Sequence, residues 1–161
     1  MTATFTPPEL RKVLDVLSSS AVIRLITEID DNGPIPPRRL AGTLPDLSPH
    51  QLRQATETAR AHGLVQVLPG LGMDLTTSGS ALADVYDTAA RWARRHSYPT
   101  PVCDFTSRLQ HTLALLTPLL AVEGLPHGDA IVELALLRAA LVQWLTTNPG
   151  VALRCELGSV A

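Results

Sequence analysis

The chain has 161 residues, of which 45% are hydrophobic and 17% charged, and its formal net charge is -2. This length suits one sizeable core, or a small domain with added helices, and it argues against a two-domain enzyme. Because the net charge is slightly negative, any affinity for nucleic acid has to come from a local basic surface.

No segment has the roughly 20 uninterrupted apolar residues of a membrane helix, and the N-terminus lacks the pattern of a secretory signal. We therefore expect a cytoplasmic protein without a membrane partner. The cysteines Cys103 and Cys155 lie far apart and form no C-x-x-C pair. This spacing predicts two free thiols, and it signals neither a disulfide framework nor a zinc site. A redox role for the thiols stays open.

The first third of the chain predicts three helices. Thr6-Pro7-Pro8-Glu9 is a capping-box start for a helix to about Leu17, and the serines at 18–20 offer an N-cap for a second helix. That second helix should stop at Asn32-Gly33-Pro34. Ile35 then forms a short apolar link, and residues 38–44 are long enough for two turns of helix.

The next helix, over about 48–62, carries the strongest signals. Ser48 is placed as its N-cap, Pro49 as its first residue and Gln51 as the partner in a capping box. Leu47 and Leu52 have the spacing of a hydrophobic staple. Beyond Gly63, the chain predicts a strand at 64–68, a tight turn at 69–72 and a return strand at 73–75.

The last part predicts helices only. Thr76 or Thr77 should cap a long helix that ends in the basic run 91–96, whose arginines suit a helix C-terminus. Residues 104–122 and about 127–147 then have the leucine spacing of an antiparallel helical hairpin, followed by a loose tail after about 148. This hairpin has more apolar face than it can bury by itself.

The order of these elements resembles a winged helix-turn-helix of the HxlR and MarR type of bacterial transcriptional regulators. The resemblance spans about residues 20–97. It rests on Leu47-Ser48-Pro49-His50-Gln51-Leu52, on His62-Gly63-Leu64-Val65, on Leu75-Thr76-Thr77-Ser78-Gly79-Ser80-Ala81-Leu82 and on Ala89-Ala90-Arg91-Trp92-Ala93-Arg94-Arg95-His96.

The resemblance implies a mainly α fold with a small β-hairpin wing, followed here by a C-terminal helical hairpin. It implies a homodimer whose helix 48–62 enters the major groove of double-stranded DNA and whose wing 65–75 follows the backbone. Residues 1–19 are predicted as an N-terminal helix in the dimer contact, and residues 98–161 as a dimerisation region or ligand pocket. The predicted DNA-binding residues are Arg38, Arg39, Ser48, His50, Gln51, Arg53, Gln54 and Arg60.

This chain also departs from that family. Basic residues recur in the family at places that here hold His50, Ala55, Glu57, Ser78 and Ser80, and the wing from Leu68 to Met73 has no basic residue. Phosphate contacts supply most of the non-specific affinity for DNA. An alternative hypothesis is therefore an interaction or small-molecule-binding module that has lost DNA binding.

Other residue patterns predict little chemistry. The five histidines share no metal-ligand spacing, and the chain has no phosphate loop, nucleophile elbow or acid-base carboxylate pair. We therefore predict no enzyme activity, no cofactor and no metal. Tyr86, Trp92, Tyr98 and Trp144 are aromatic candidates for core or dimer packing, or for a pocket that takes a small-molecule effector.

Overall fold

The computed structural model describes residues 5–98, 104–116 and 128–157. Across these residues the protein is mainly α-helical, with eight helices and a two-stranded antiparallel hairpin between the fourth and fifth. The mainly α class and the small hairpin are as predicted. The elements are α1 (Pro7–Leu17), α2 (Ser20–Asn32), a 3-10 turn (Pro37–Arg39), α3 (Leu40–Thr43), α4 (Pro49–Ala61), β1 (Val65–Leu68), β2 (Gly72–Leu75), α5 (Thr77–Arg95), α6 (Phe105–Ala114), α7 (Asp129–Thr147) and α8 (Pro149–Leu157).

The chain folds as two compact units. One, here called the helix-hairpin unit, comprises Ser19–Ala83, and the other, the helical unit, comprises Met1–Ser18 and Asp84–Ala161. Helix α5 begins in the first of these and continues into the second.

Helix α2 forms the core of the helix-hairpin unit. Its residues Val22, Ile23, Leu25, Ile26 and Ile29 are buried, and the helix packs against α4 and β2. Gly33 ends the helix at a φ of +87°, which is a conformation that glycine adopts without steric cost. Ser19 stands at the N-cap, as the serine run predicts, although its side chain makes no capping hydrogen bond.

The hairpin pairs Val65 with Leu75 and Leu68 with Gly72. Ile35, which the sequence indicated only as a link, forms an antiparallel bridge to Met73 of β2. The Ile35 N–H donates to the Met73 carbonyl and the Met73 N–H donates to the Ile35 carbonyl, each over 2.9 Å. Gly72 has a φ of +105°, and a Cβ there would lie 2.5 Å from the Ile35 carbonyl oxygen. Only glycine fits where these two backbones meet.

The helical unit is held by hydrogen bonds between residues far apart in sequence. The Tyr86 hydroxyl donates to the Leu17 carbonyl, the Trp92 indole donates to the Ala130 carbonyl over 2.9 Å, and the Gln110 amide donates to the Ser18 carbonyl over 2.8 Å. These bonds occupy polar groups at the ends of α1 and α7. Burial raises the pKa of the Tyr86 hydroxyl, which therefore stays protonated.

Two predicted features of the C-terminal part differ in the structure. Helix α6 ends at Ala114 rather than at 122, and Pro118 lies a few residues on, where a proline disfavours helix in the residue before it. The expected loose tail after about 148 is instead helix α8, which packs against α1 and buries Val151 and Cys155. Cys103, Leu119, Leu120 and the connection 123–127 lie outside the described residues, so the antiparallel pairing of these helices stays a prediction.

Helix α7 is long and apolar enough to cross a membrane by length and composition, with a mean hydropathy of 1.4. The core helix of a folded protein meets the same criteria. Leu134, Leu137 and Leu141 bury one face of α7 within the helical unit.

Candidate nucleic-acid interface

Helix α4 begins at a complete capping box. The Ser48 hydroxyl accepts a hydrogen bond from the Gln51 N–H over 3.1 Å, and the Gln51 side-chain oxygen accepts one from the Ser48 N–H over 2.9 Å. Pro49 occupies the first helical position, and Leu47 and Leu52 are both buried beside the cap. The cap therefore fixes where α4 starts, and it uses two of the predicted DNA-binding side chains to do so.

Helix α4 has one buried and one polar face. Leu52, Ala55 and Ala59 are buried, and Thr56 between them is half-buried. His50, Arg53, Gln54 and Glu57 are exposed, and their spacing of three and four residues places them on one face. The predicted contact residues of this helix are thus presented together to solvent.

Four predicted arginines have free side chains. Arg38 and Arg39 are exposed on the 3-10 turn before α3, and Arg53 and Arg60 are exposed on α4. None of the four makes a side-chain hydrogen bond or ion pair with another residue of the described chain. Their guanidinium groups are available to an external anion.

An ion pair that the sequence did not reveal holds the turn before α4. Arg24 on α2 makes two contacts with Asp46, Nε to Oδ2 over 2.8 Å and Nη2 to Oδ1 over 3.1 Å. This hydrogen bonding lowers the pKa of the Asp46 carboxyl and raises the pKa of Arg24. Because the partners are 22 residues apart, no local spacing rule links them.

The hairpin offers little charge to a polyanion. Its residues 65–75 include one ionisable side chain, Asp74, while Val67 and Leu71 are 49% and 58% exposed. Across residues 19–83 there are five arginines and six carboxylates, which gives the helix-hairpin unit a net charge of -1. Attraction to nucleic acid would therefore rest on where the arginines lie and not on net charge.

The two residues that flank the hairpin, Leu64 and Thr76, are joined by a hydrogen bond. The Thr76 N–H donates to the Leu64 carbonyl over 3.0 Å, and the Thr76 hydroxyl caps α5 by accepting from the Gly79 N–H over 3.1 Å. A Cβ on Gly79 would lie 2.0 Å from the Leu64 carbonyl oxygen. This close approach fixes the end of α4 relative to the start of α5.

The aromatic candidates lie in the helical unit. Tyr86, Trp92 and Trp144 are buried, with at most 4% of each residue exposed, and Tyr98 meets Trp92 edge to face at 5.7 Å between ring centroids. Trp92 also lines a cleft between α5 and α7. No cluster of three His, Cys, Asp or Glu residues within reach of a metal ion occurs in the described ranges.

The site is thus an exposed polar helix face, with exposed arginines before and within it and a hairpin without basic residues after it. Comparison with protein-family models, with curated proteins and with solved structures finds no significant match to this chain.

Proposed function

We propose that this protein is a DNA-binding transcriptional regulator of the HxlR and MarR type that acts as a homodimer. In this proposal residues 20–97 form a winged helix-turn-helix, α4 enters the major groove and the β1–β2 hairpin lies along the backbone. The protein is cytoplasmic, has no catalytic activity, and has double-stranded DNA and a second copy of itself as partners.

The observation that carries this proposal is the exposed face of α4. A short helix, a tight turn and a capped second helix followed by a hairpin is the element order of a winged helix-turn-helix. Arg53 and Gln54 stand one turn or so beyond the cap of α4, where a recognition helix contacts bases. A guanidinium pairs with both acceptors of guanine, and an amide pairs with adenine.

The free arginines outside that face supply the backbone contacts in this proposal. Arg38 and Arg39 on the turn before α3, and Arg60 in the last turn of α4, are exposed cations suited to phosphate oxygens. Two protomers would bring six such arginines. The slope of log affinity against log salt is then no steeper than about -5.

The alternative is a winged-helix interaction module that uses the same scaffold without DNA. The absence of basic residues from the hairpin 65–75 and the net charge of -1 on residues 19–83 favour it. In that case neither arginine of α4 would matter for nucleic acid.

Fluorescence anisotropy with a duplex from the region upstream of the gene separates the two. We expect the full chain to bind this duplex at low salt, and Arg53→Ala to weaken binding by roughly tenfold to a hundredfold. Arg94→Ala, which removes an exposed arginine of α5 outside the predicted DNA-binding residues, is the matched control and should bind like the wild type. Absence of binding at low salt, or equal loss in both variants, would favour the alternative.

A further inference from the structure

The two edges of the β1–β2 hairpin differ. Ile35 covers the β2 edge at Met73 through two hydrogen bonds, whereas no strand among the described residues lies beside β1 on its outer side. We propose that the outer edge of β1 pairs with the same edge of a second copy of this chain. This interface goes beyond the proposed function, because it depends neither on DNA nor on the predicted dimer contact in residues 1–19 and 98–161.

The hydrogen bonds of the hairpin determine which backbone groups of β1 point outwards. The N–H and the carbonyl of Met73 both bond to Ile35, on the side of β2 away from β1. Val67 stands opposite Met73, so the two form a non-hydrogen-bonded pair, and the N–H and carbonyl of Val67 point away from β2. The pattern repeats every second residue, so the same groups of Val65 also point outwards. These groups make no hydrogen bond to another of the described residues.

Two copies of this edge complement each other in one antiparallel register. With the two-fold axis at Gln66, Val65 of each copy faces Val67 of the other, and each of these pairs exchanges two hydrogen bonds. All the outward groups of both valines are then used. A register displaced towards the turn would set Val65 against Pro69, which has no N–H to donate.

The side chains of β1 suit a second copy of the same strand. Val67 is 49% exposed and would lie beside Val65 of the other copy, which forms a cross-strand pair of β-branched residues. Gln66 at the axis is exposed and uncharged, so its two copies meet without charge repulsion. Asp74, the cross-strand partner of Gln66, would lie three strand spacings, about 14 Å, from its counterpart. This separation exceeds the screening length of about 8 Å at physiological ionic strength.

Strand β1 also has none of the features that commonly keep a strand edge from pairing. Exposed edges often carry a lysine, a proline, a bulge or an inward-pointing charge. The residues of β1 are Val, Gln, Val and Leu, and they pair with β2 in continuous register. A contact of one short strand on each side is small, and interfaces below about 1,200 Å² are typical of transient complexes. We therefore expect an association that increases with protein concentration.

Sedimentation equilibrium of the full chain over a range of concentrations tests this interface with two charge variants, Gln66→Glu and Gln66→Lys. Each variant alone brings like charges together at the axis, so we expect its association through β1 to be at least about fivefold weaker than that of the wild type. An equimolar mixture of the two variants brings opposite charges together and should associate more strongly than either variant alone. A general change in the hairpin would not produce this recovery.

Gln66→Thr is the matched control, because it keeps an uncharged residue that favours a strand, and it should associate like the wild type. The same concentration dependence for the wild type and Gln66→Glu would overturn the proposal. A mixture of the charge variants that associates no more than each variant alone would also overturn it. Because no variant alters residues 1–19 or 98–161, a dimer mass shared by all samples would leave the homodimer proposal intact.

Discussion

Single residues in the helix-hairpin unit are fixed by contacts that local sequence rules do not describe. The pair Arg24 and Asp46 joins α2 to the turn before α4, and Gly79 lies against the Leu64 carbonyl. In each pair the two residues are adjacent only in the folded chain. Sequence patterns therefore predicted the helices on either side, but not what holds them in place.

The Arg24 and Asp46 ion pair predicts a pH-dependent stability. Its hydrogen bond lowers the pKa of Asp46 in the folded state, so the stabilisation is present above the ordinary aspartate pKa and is lost as the pH falls through the lowered value. Because both side chains are partly exposed, Asp46→Asn should cost less than about 1 kcal/mol near neutral pH. Urea unfolding at several pH values measures this. A difference between the two proteins that did not shrink as the pH fell below the ordinary aspartate pKa would contradict the ion-pair account.

One methyl group added at Gly79 should strongly lower the stability of the protein. In Gly79→Ala the new Cβ would meet the Leu64 carbonyl oxygen at 2.0 Å, so the backbone has to shift. We expect a loss of about 2–3 kcal/mol in the free energy of unfolding. Gly42→Ala in α3 is the control, since nothing lies within 4 Å of its Cβ. Helix propensity alone would make Gly→Ala stabilising at either position, because alanine favours a helix more than glycine does. A Gly79→Ala variant as stable as the wild type would therefore contradict the account.

At the scale of elements, the sequence predicted best where a helix carries its own start signal. Thr6 with Glu9 and Ser48 with Gln51 both form the capping boxes expected of them, and Gly63 follows α4 at a φ of +68°. The end of α6 and the existence of α8 were predicted wrongly. Pro118 disfavours a helix in the residue before it and so argues against a continuous helix to 122. Helix α8 depends on packing against α1, which no local pattern encodes.

The capping box of α4 predicts a measurable cost for its removal. Ser48→Ala leaves the Gln51 N–H without its acceptor and should lower the free energy of unfolding by about 1 kcal/mol. Ser48→Asn keeps a side-chain acceptor at the N-cap and should stay close to the wild type. Denaturant midpoints report both values. Equal stability of the alanine and asparagine variants would mean that the cap contributes nothing to α4.

At the scale of the whole molecule, the last described helix is part of the fold. Val151 on α8 is only 3% exposed, whereas Leu153 on the same helix is 59% exposed. Val151→Ala should therefore destabilise the protein by about 1–2 kcal/mol, while Leu153→Ala should change it by less than about 0.5 kcal/mol. Thermal unfolding of the two variants compares them directly. If neither substitution had an effect, residues after 148 would be the loose tail that the sequence first indicated.

The fold of the helix-hairpin unit does not by itself imply DNA binding, because the net charge of the unit is slightly negative and its hairpin has no basic residue. The central claim is that the exposed face of α4, and Arg53 in particular, reads base edges. Selection of bound duplexes from a random library by the full chain tests this most directly. We predict an enriched inverted repeat with half-sites about one helical turn apart, and loss of preference at one guanine in each half-site for Arg53→Ala. Failure to enrich any sequence, or enrichment of the same sequence by Arg53→Ala, would contradict the claim.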